Sequence, residues 1–199
     1  MERRGPFIVA CLGGLLGGLD TSVNIAFPAI TAAFDIDVSQ IQWVVVSFVL
    51  TYSALLLPAG RLADRICHGR VTVIGILGQG IAFTCCALAP SFPLFLLARV
   101  SQGAAMALIL GAAPALVTLS VSAERQPQAL GVYSMVSALG FALGAPLGGL
   151  LLQIWDWPSV YFFRVPYIAM LLVIALASGL HRRPSKITHQ PLDLLGAAT

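Results

Sequence analysis

An all-α polytopic membrane protein with six spans is the fold class this sequence predicts, and three observations carry the prediction. The 199 residues are 58% hydrophobic and only 10% charged, with a mean hydropathy of +0.92, where a soluble domain carries roughly 25% charged residues. Apolar segments recur at 7–34, 41–62, 71–89, 94–121, 129–154 and 160–180, each longer than the ~17 residues a spanning helix needs. The third observation is the placing of the cations. Arg3, Arg4, Arg61, Arg65, Arg70, Arg125, Arg182, Arg183 and Lys186 fall on one side of such a bundle, while the loops of the other side hold Asp35, Asp37 and Asp156 and no cation. Positive-inside logic places both ends in the cytoplasm, which an even number of crossings requires.

The first segment forms a helix of about 42 Å and carries Asp20 near its middle. An Asp at that depth costs about 2.5 to 3.5 kcal/mol on insertion scales, so it is expected to face the bundle interior or a watery cavity. It reads as an ion or proton site, or as a residue that bonds a neighbouring helix and orders the bundle. Asn24, four residues on, is expected to share its face. Gly13/Gly17 and Gly14/Gly18 allow close helix approach. The run continues past Asp20 without a small-x-small cleavage site, so it reads as an uncleaved span.

Between the second and third segments runs Gly60-Arg61-Leu62-Ala63-Asp64-Arg65-Ile66-Cys67-His68-Gly69-Arg70. An Asp among arginines can bond a helix end or a partner charge, or the cluster can serve only to fix topology. In the fourth segment Arg99 stands about six residues inside the span, with Gln102 three residues on. Its side chain can snorkel to the membrane surface or point into the bundle. In the fifth, Gly140, Gly144 and Gly148 make a smooth ridge, followed by Gly149, and Pro146 is expected to bend the helix. Arg164 lies about four residues inside the sixth segment, close enough to snorkel, and that is its expected place.

Cys11, Cys85 and Cys86 lie in spans and Cys67 in a loop, so they read as small packing residues and imply no disulfide framework. Trp43, Phe48, Tyr52, Tyr133 and Met135 can supply aromatic or flexible contacts to a cavity, but are expected rather to pack in the core or face lipid. The basic residues form no nucleic-acid stripe. The sequence contains neither G-x-S-G nor H-E-x-x-H, and His68, His181 and His189 all fall between or after spans, so an intramembrane enzyme is not expected.

These motifs resemble those of the major facilitator superfamily, and more closely its multidrug proton antiporters, the fourteen-helix group in particular. Gly60 to Arg70 is similar to the loop signature G-x-L-A-D-R-x-G-R-[RK], and Val23-Asn24-Ile25-Ala26-Phe27-Pro28 to the first-helix V-N-x-A-x-P. Arg99-Val100-Ser101-Gln102-Gly103 is similar to R-x-x-Q-G. Gly140, Gly144, Pro146, Gly148 and Gly149 resemble the fifth-helix G-x-x-x-G-P-x-x-G-G, and Trp157 to Pro166 resembles W-R-W-x-F-x-x-N-V-P. Four departures stand out. Asp20 precedes Asn24 by four residues where the family uses five, Cys67-His68-Gly69 replaces part of the loop signature, Pro146 comes one position late, and Arg164 replaces an Asn.

The resemblance implies one six-helix half over 1–180, built as two inverted three-helix repeats, a cytoplasmic linker over 181–191, and over 192–199 the cut-short start of a seventh helix. It implies a secondary active transporter exporting hydrophobic or cationic small molecules in exchange for protons, with no cofactor beyond the proton gradient. Its expected partners are the bilayer, the small-molecule substrate, protons and a missing C-terminal half, and no nucleic acid. Asp20, Asn24, Arg99 and Gln102 would form the proton and substrate site. Gly60, Asp64, Arg65 and Arg70 would form the cytoplasmic gate. Both the Gly60–Asp64 loop and the glycine ridge are expected to lack partners unless the second half is present. The alternative is a half-size or remnant membrane protein that does not transport unaided.

Overall fold

The computed structural model describes residues 4–180. Arg3, the linker expected over 181–191 and the helix start expected over 192–199 lie outside the described residues. Helices account for every regular element among them, in the order α1 (Arg4–Gly18), α2 (Ser22–Ile25), α3 (Phe27–Phe34), α4 (Gln42–Arg65), α5 (His68–Ala87), α6 (Phe92–Thr118), α7 (Gln126–Ile154), α8 (Ser159–Phe162) and α9 (Arg164–Ala177). Six helical stretches are long and apolar enough to cross a membrane. A bilayer offers no partner to a bare N–H or C=O, so each crossing must close its own hydrogen bonds.

Two of the six spans are interrupted. A 3-10 turn, Leu19–Thr21, separates α1 from α2, and α3 starts afresh at Phe27 with Pro28 in its first turn. Gly17 and Gly18 weaken the helix just ahead of that turn. The sixth span breaks at Phe163, between α8 and α9. Pro93 and Pro127 occupy the first turns of α6 and α7, where a missing N–H costs nothing. At the end of α3, Asp35 adopts a left-handed conformation (φ 49°, ψ 51°) and stops the helix, a role that Asp fills more readily than bulkier residues. The fifth span runs through Pro146 without a break.

The centre of the bundle is α6, which packs against α1, α4 and α5, while α7 lies along α1 and α2. First span meets fourth, second meets fourth, fifth meets first and third meets sixth. That arrangement is what two three-helix units related by an in-plane axis produce. At the third–sixth contact, Gly69 sits flush against Leu180.

Glycine permits the two side contacts. Along α7, a Cβ on Gly148 would lie 2.7 Å from the Ser22 carbonyl oxygen, one on Gly144 would overlap the Thr21 hydroxyl, and one on Gly140 would overlap the Leu15 carbonyl. Along α6, a Cβ on Gly103 would lie 2.6 Å from the Phe48 carbonyl, and Gly111 faces Gly60 with 3.0 Å between such a Cβ and the Gly60 nitrogen. This corrects the expectation that the glycine ridge and Gly60 need a second half to pack against. Gly140, Gly144 and Gly148 find α1 and α2, and Gly60 finds α6, because small-residue surfaces pair wherever two backbones can approach. Gly149 is outside this ridge, with nothing within contact distance of its position. The outward faces of α4 and α7 stay open, with only 17% of each span buried.

Gly148→Val should therefore force α7 off α2 and lower the thermal midpoint of the purified protein by the equivalent of about 1 to 3 kcal/mol. Gly149→Ala should leave it unchanged or raise it slightly. Equal losses for both would show that α7 does not pack on α1 and α2 through this face.

Candidate functional site: a buried charge cluster

At mid-depth the 3-10 turn of the first span presents Asp20 to two other spans, the fourth and the sixth. Arg99 of α6 approaches its carboxylate with both terminal nitrogens, Nη1 to Oδ1 at 3.1 Å and Nη2 to Oδ2 at 3.0 Å. Gln102, one turn further along α6, donates from Nε2 to Oδ1 at 2.8 Å and accepts from Arg99 Nη1 at 2.6 Å. Arg164, the first residue of α9, donates from Nη1 to Oδ1 at 2.9 Å. Asp20 thus accepts four hydrogen bonds and donates none. A bidentate fork and a second guanidinium are the strongest partners a carboxylate can have.

The rest of the cluster holds the two arginines in place. Arg99 Nε donates to the Val44 carbonyl of α4 at 2.9 Å, and its guanidinium lies over the Phe48 ring, 4.6 Å from the centroid. Arg164 Nη2 donates to the Leu19 carbonyl at 2.8 Å and to the Ser22 hydroxyl. The rings of Phe83, Phe163 and Tyr161 surround it at 5.1, 5.4 and 5.7 Å. Gln79 of α5 donates to the Gln102 backbone carbonyl at 3.2 Å. Arg99 and Arg164 are 1% and 0% exposed, whereas the Asp20 side chain keeps 13% of its surface accessible.

Guanidinium does not lose its proton in proteins, so two cations enclose one anion and the cluster carries a net charge of +1. Buried Arg164 Nε and the Tyr161 hydroxyl find no hydrogen-bond partner among the described residues. Such a cluster is costly to assemble and far costlier to leave half-paired: removing one member of a buried ion pair costs about 3 to 5 kcal/mol.

The sequence placed these residues unevenly. Asp20, Arg99 and Gln102 converge as expected. Asn24 does not join them: it is exposed, and it hydrogen-bonds to none of them. The expected shared face assumed a regular α-helix, but each residue of the 3-10 turn advances about 120° instead of about 100°, and the face drifts. Arg164 is a second correction. It does not snorkel, because α9 starts at this residue and its guanidinium donates to the Asp20 carboxylate, the Leu19 carbonyl and the Ser22 hydroxyl. The signal available was that Arg164 departs from the Asn of the resembling motif and lies inside the sixth apolar segment. Phe48, expected in the core or against lipid, is buried beneath Arg99.

The predicted gate residues lie at the other level of the bundle, where α4 turns into α5. Asp64, with 72% of its side chain exposed, has its Oδ1 2.9 Å from His68 Nε2. Arg65 and Arg70 are exposed. Gly60 belongs to the α4–α6 contact described above.

A six-span bundle with an interior charge cluster is the build of a membrane transporter domain. Comparison with known proteins names the family: its model, Major Facilitator Superfamily, matches residues 9–194, and the chain belongs to it. The lincomycin resistance protein of Streptomyces lincolnensis is 34% identical over 89% of this chain and 36% of its own length. The puromycin resistance protein pur8 of Streptomyces alboniger is 36% identical over 98% of this chain and 39% of its own. Among solved structures, the bacterial homologue of the human lysosomal transporter Spinster, in an inward-facing and unoccupied conformation, superposes with a TM-score of 0.74 at 21% identity, over 99% of this chain and 47% of that one. The chain spans less than two fifths of the length of these curated relatives. It is a multi-pass membrane protein of a transporter family, and not an enzyme.

The charge count orders the stabilities of variants. Asp20→Asn leaves two buried cations facing each other and should be the least stable. Arg164→Gln leaves a neutral Asp20–Arg99 pair and should cost less, and the double variant should recover part of what Asp20→Asn lost. Thermal unfolding in detergent reads the order directly; additive losses would mean that Arg164 and Asp20 do not interact.

Proposed function

We propose that this chain is the N-terminal half of a proton-coupled antiporter that exports hydrophobic or cationic small molecules across the cytoplasmic membrane. The observation that carries the reading is Asp20, a membrane-embedded carboxylate with a small accessible edge, held by side chains from two other spans. Intramembrane carboxylates so placed mark proton and ion pathways. A proton arriving at Asp20 removes the negative charge that Arg99 and Arg164 share, leaving only neutral acceptor oxygens. The bonds tying α6 and α9 to the 3-10 turn then weaken together, and the balance between two conformations shifts. Exchange follows only if proton and substrate prefer different conformations, since equal affinity for both moves nothing.

The curated relatives support the export reading through their names, among them the tetracenomycin C resistance and export protein of Streptomyces glaucescens, 30% identical over 98% of this chain. The riboflavin transporter RibZ of Clostridioides difficile, 28% identical over 90% of this chain, leaves substrate class open within the family. The cations at the Arg61, Arg65, Arg70 and Arg125 end support a cytoplasmic placing of that end. There Asp64, Arg65 and Arg70 would make contacts that hold one conformation. A second reading, a half-size protein inert by itself, is favoured by the open faces of α4 and α7, which are where a second half would dock.

Vesicles containing the transporter with Asp20→Asn should lose dye efflux driven by a pH gradient while remaining inserted and folded. Undiminished exchange would remove Asp20 from the proton path. A strictly monomeric chain that moves nothing, with or without the gradient, would favour the second reading.

A further inference from the structure

The negative charge of Asp20 is already matched by two guanidiniums, so the central cluster offers no net attraction to a cation. A different place does. At the end of the bundle opposite Arg61, Arg65 and Arg70, an open cavity of about 710 Å³ lies between the first span and the turn that joins the fifth to the sixth. One wall is the small-residue face of α3, with Pro28, Ala29, Ala32 and Ala33, and the other is Trp155, Asp156 and Trp157. The size is that of a site for a drug-like molecule.

The two tryptophans differ in a useful way. Trp157 is fixed, packed edge-on against Phe95 at 5.5 Å and Tyr161 at 6.4 Å and tilted against Phe34 at 5.4 Å. Trp155 is 61% exposed and lines the same cavity. Between them, Asp156 is exposed, and its carboxylate has no hydrogen-bond or ion-pair partner among the described residues. Asp35 and Asp37 follow α3 at this same end, and no cation lies in either loop. Indole is the best aromatic partner for a cation, and a carboxylate beside it supplies the opposite charge. The alanines opposite leave room for bulk.

We propose that this cavity is a binding site for a bulky hydrophobic cation, a quaternary ammonium or phosphonium, held between Trp155 and Trp157 with Asp156 as its counter-charge. The site is separate from the Asp20 cluster, about 13 Å along the first span by helix rise, and binding there needs neither a pH gradient nor a proton on Asp20. Failure of gradient-driven efflux would therefore leave this inference standing.

The test uses the 199-residue chain in lipid nanodiscs, titrated with tetraphenylphosphonium while tryptophan fluorescence is read. A Trp43→Phe background confines the signal to Trp155 and Trp157. The expected result is saturable quenching, at least about five-fold weaker in Asp156→Asn and restored in Asp156→Glu. The anionic isostere tetraphenylborate should not compete. Quenching that does not saturate, that Asp156→Asn leaves unchanged, or that tetraphenylborate matches would show simple partitioning into the lipid interface and overturn the proposal. Should Asp156→Asn misfold, Trp155→Leu in the same background gives an independent reading, with loss of saturable binding expected and unchanged binding overturning the site.

Discussion

Asp20 is a single carboxylate around which four of the six spans are arranged. It projects from the first span, receives Arg99 and Gln102 from the fourth and Arg164 from the sixth, and through Arg99 is connected to the Val44 carbonyl of the second. In hydrocarbon such a group must be paired on every side, because no water is there to take a missing bond. The local irregularities of the fold occur where this demand is met. The first span tightens into a 3-10 turn at Asp20, and the sixth breaks one residue before Arg164.

Pairing at this density needs helices that lie close, and glycine provides the closeness. The α1–α7 and α4–α6 contacts use the same device at symmetric places in the bundle: backbone against backbone, with no Cβ between. Close contacts of this kind gain dispersion energy without help from the hydrophobic effect, which lipid does not supply. The charge cluster and the glycine contacts are therefore complementary: one supplies directed bonds between spans and the other the close approach those bonds need.

The charges of the protein are divided by level. Cations gather where α4 turns into α5, a net positive cluster sits in the middle, and Asp156, without a side-chain partner among the described residues, lies at the far end beside exposed indole. A bulky cation entering this landscape is not held at the centre in the arrangement seen here, and meets its best partners at the acidic end. Arg164 produces the middle of that profile, since without it the Asp20–Arg99 pair would be neutral.

By itself the sequence determined the number of spans, their order and the family, because each follows from local apolar length and motifs read along one segment at a time. It also placed Asp20 in the interior, since a charge deep in a long apolar run has few other places to go, whereas for Arg99 it left snorkelling and an inward side chain both open. What only the tertiary structure decided were the relations between segments. Arg164 looked close enough to the membrane surface to snorkel, and only the break at Phe163 turned it onto Asp20. Asn24 looked aligned with Asp20 under a regular helical period, and a three-residue 3-10 turn removed it from that face. The glycine ridge looked incomplete until α1 was seen to fill it. In each case the deciding quantity was the angle or distance between two helices, which depends on packing partners that no single stretch of sequence contains.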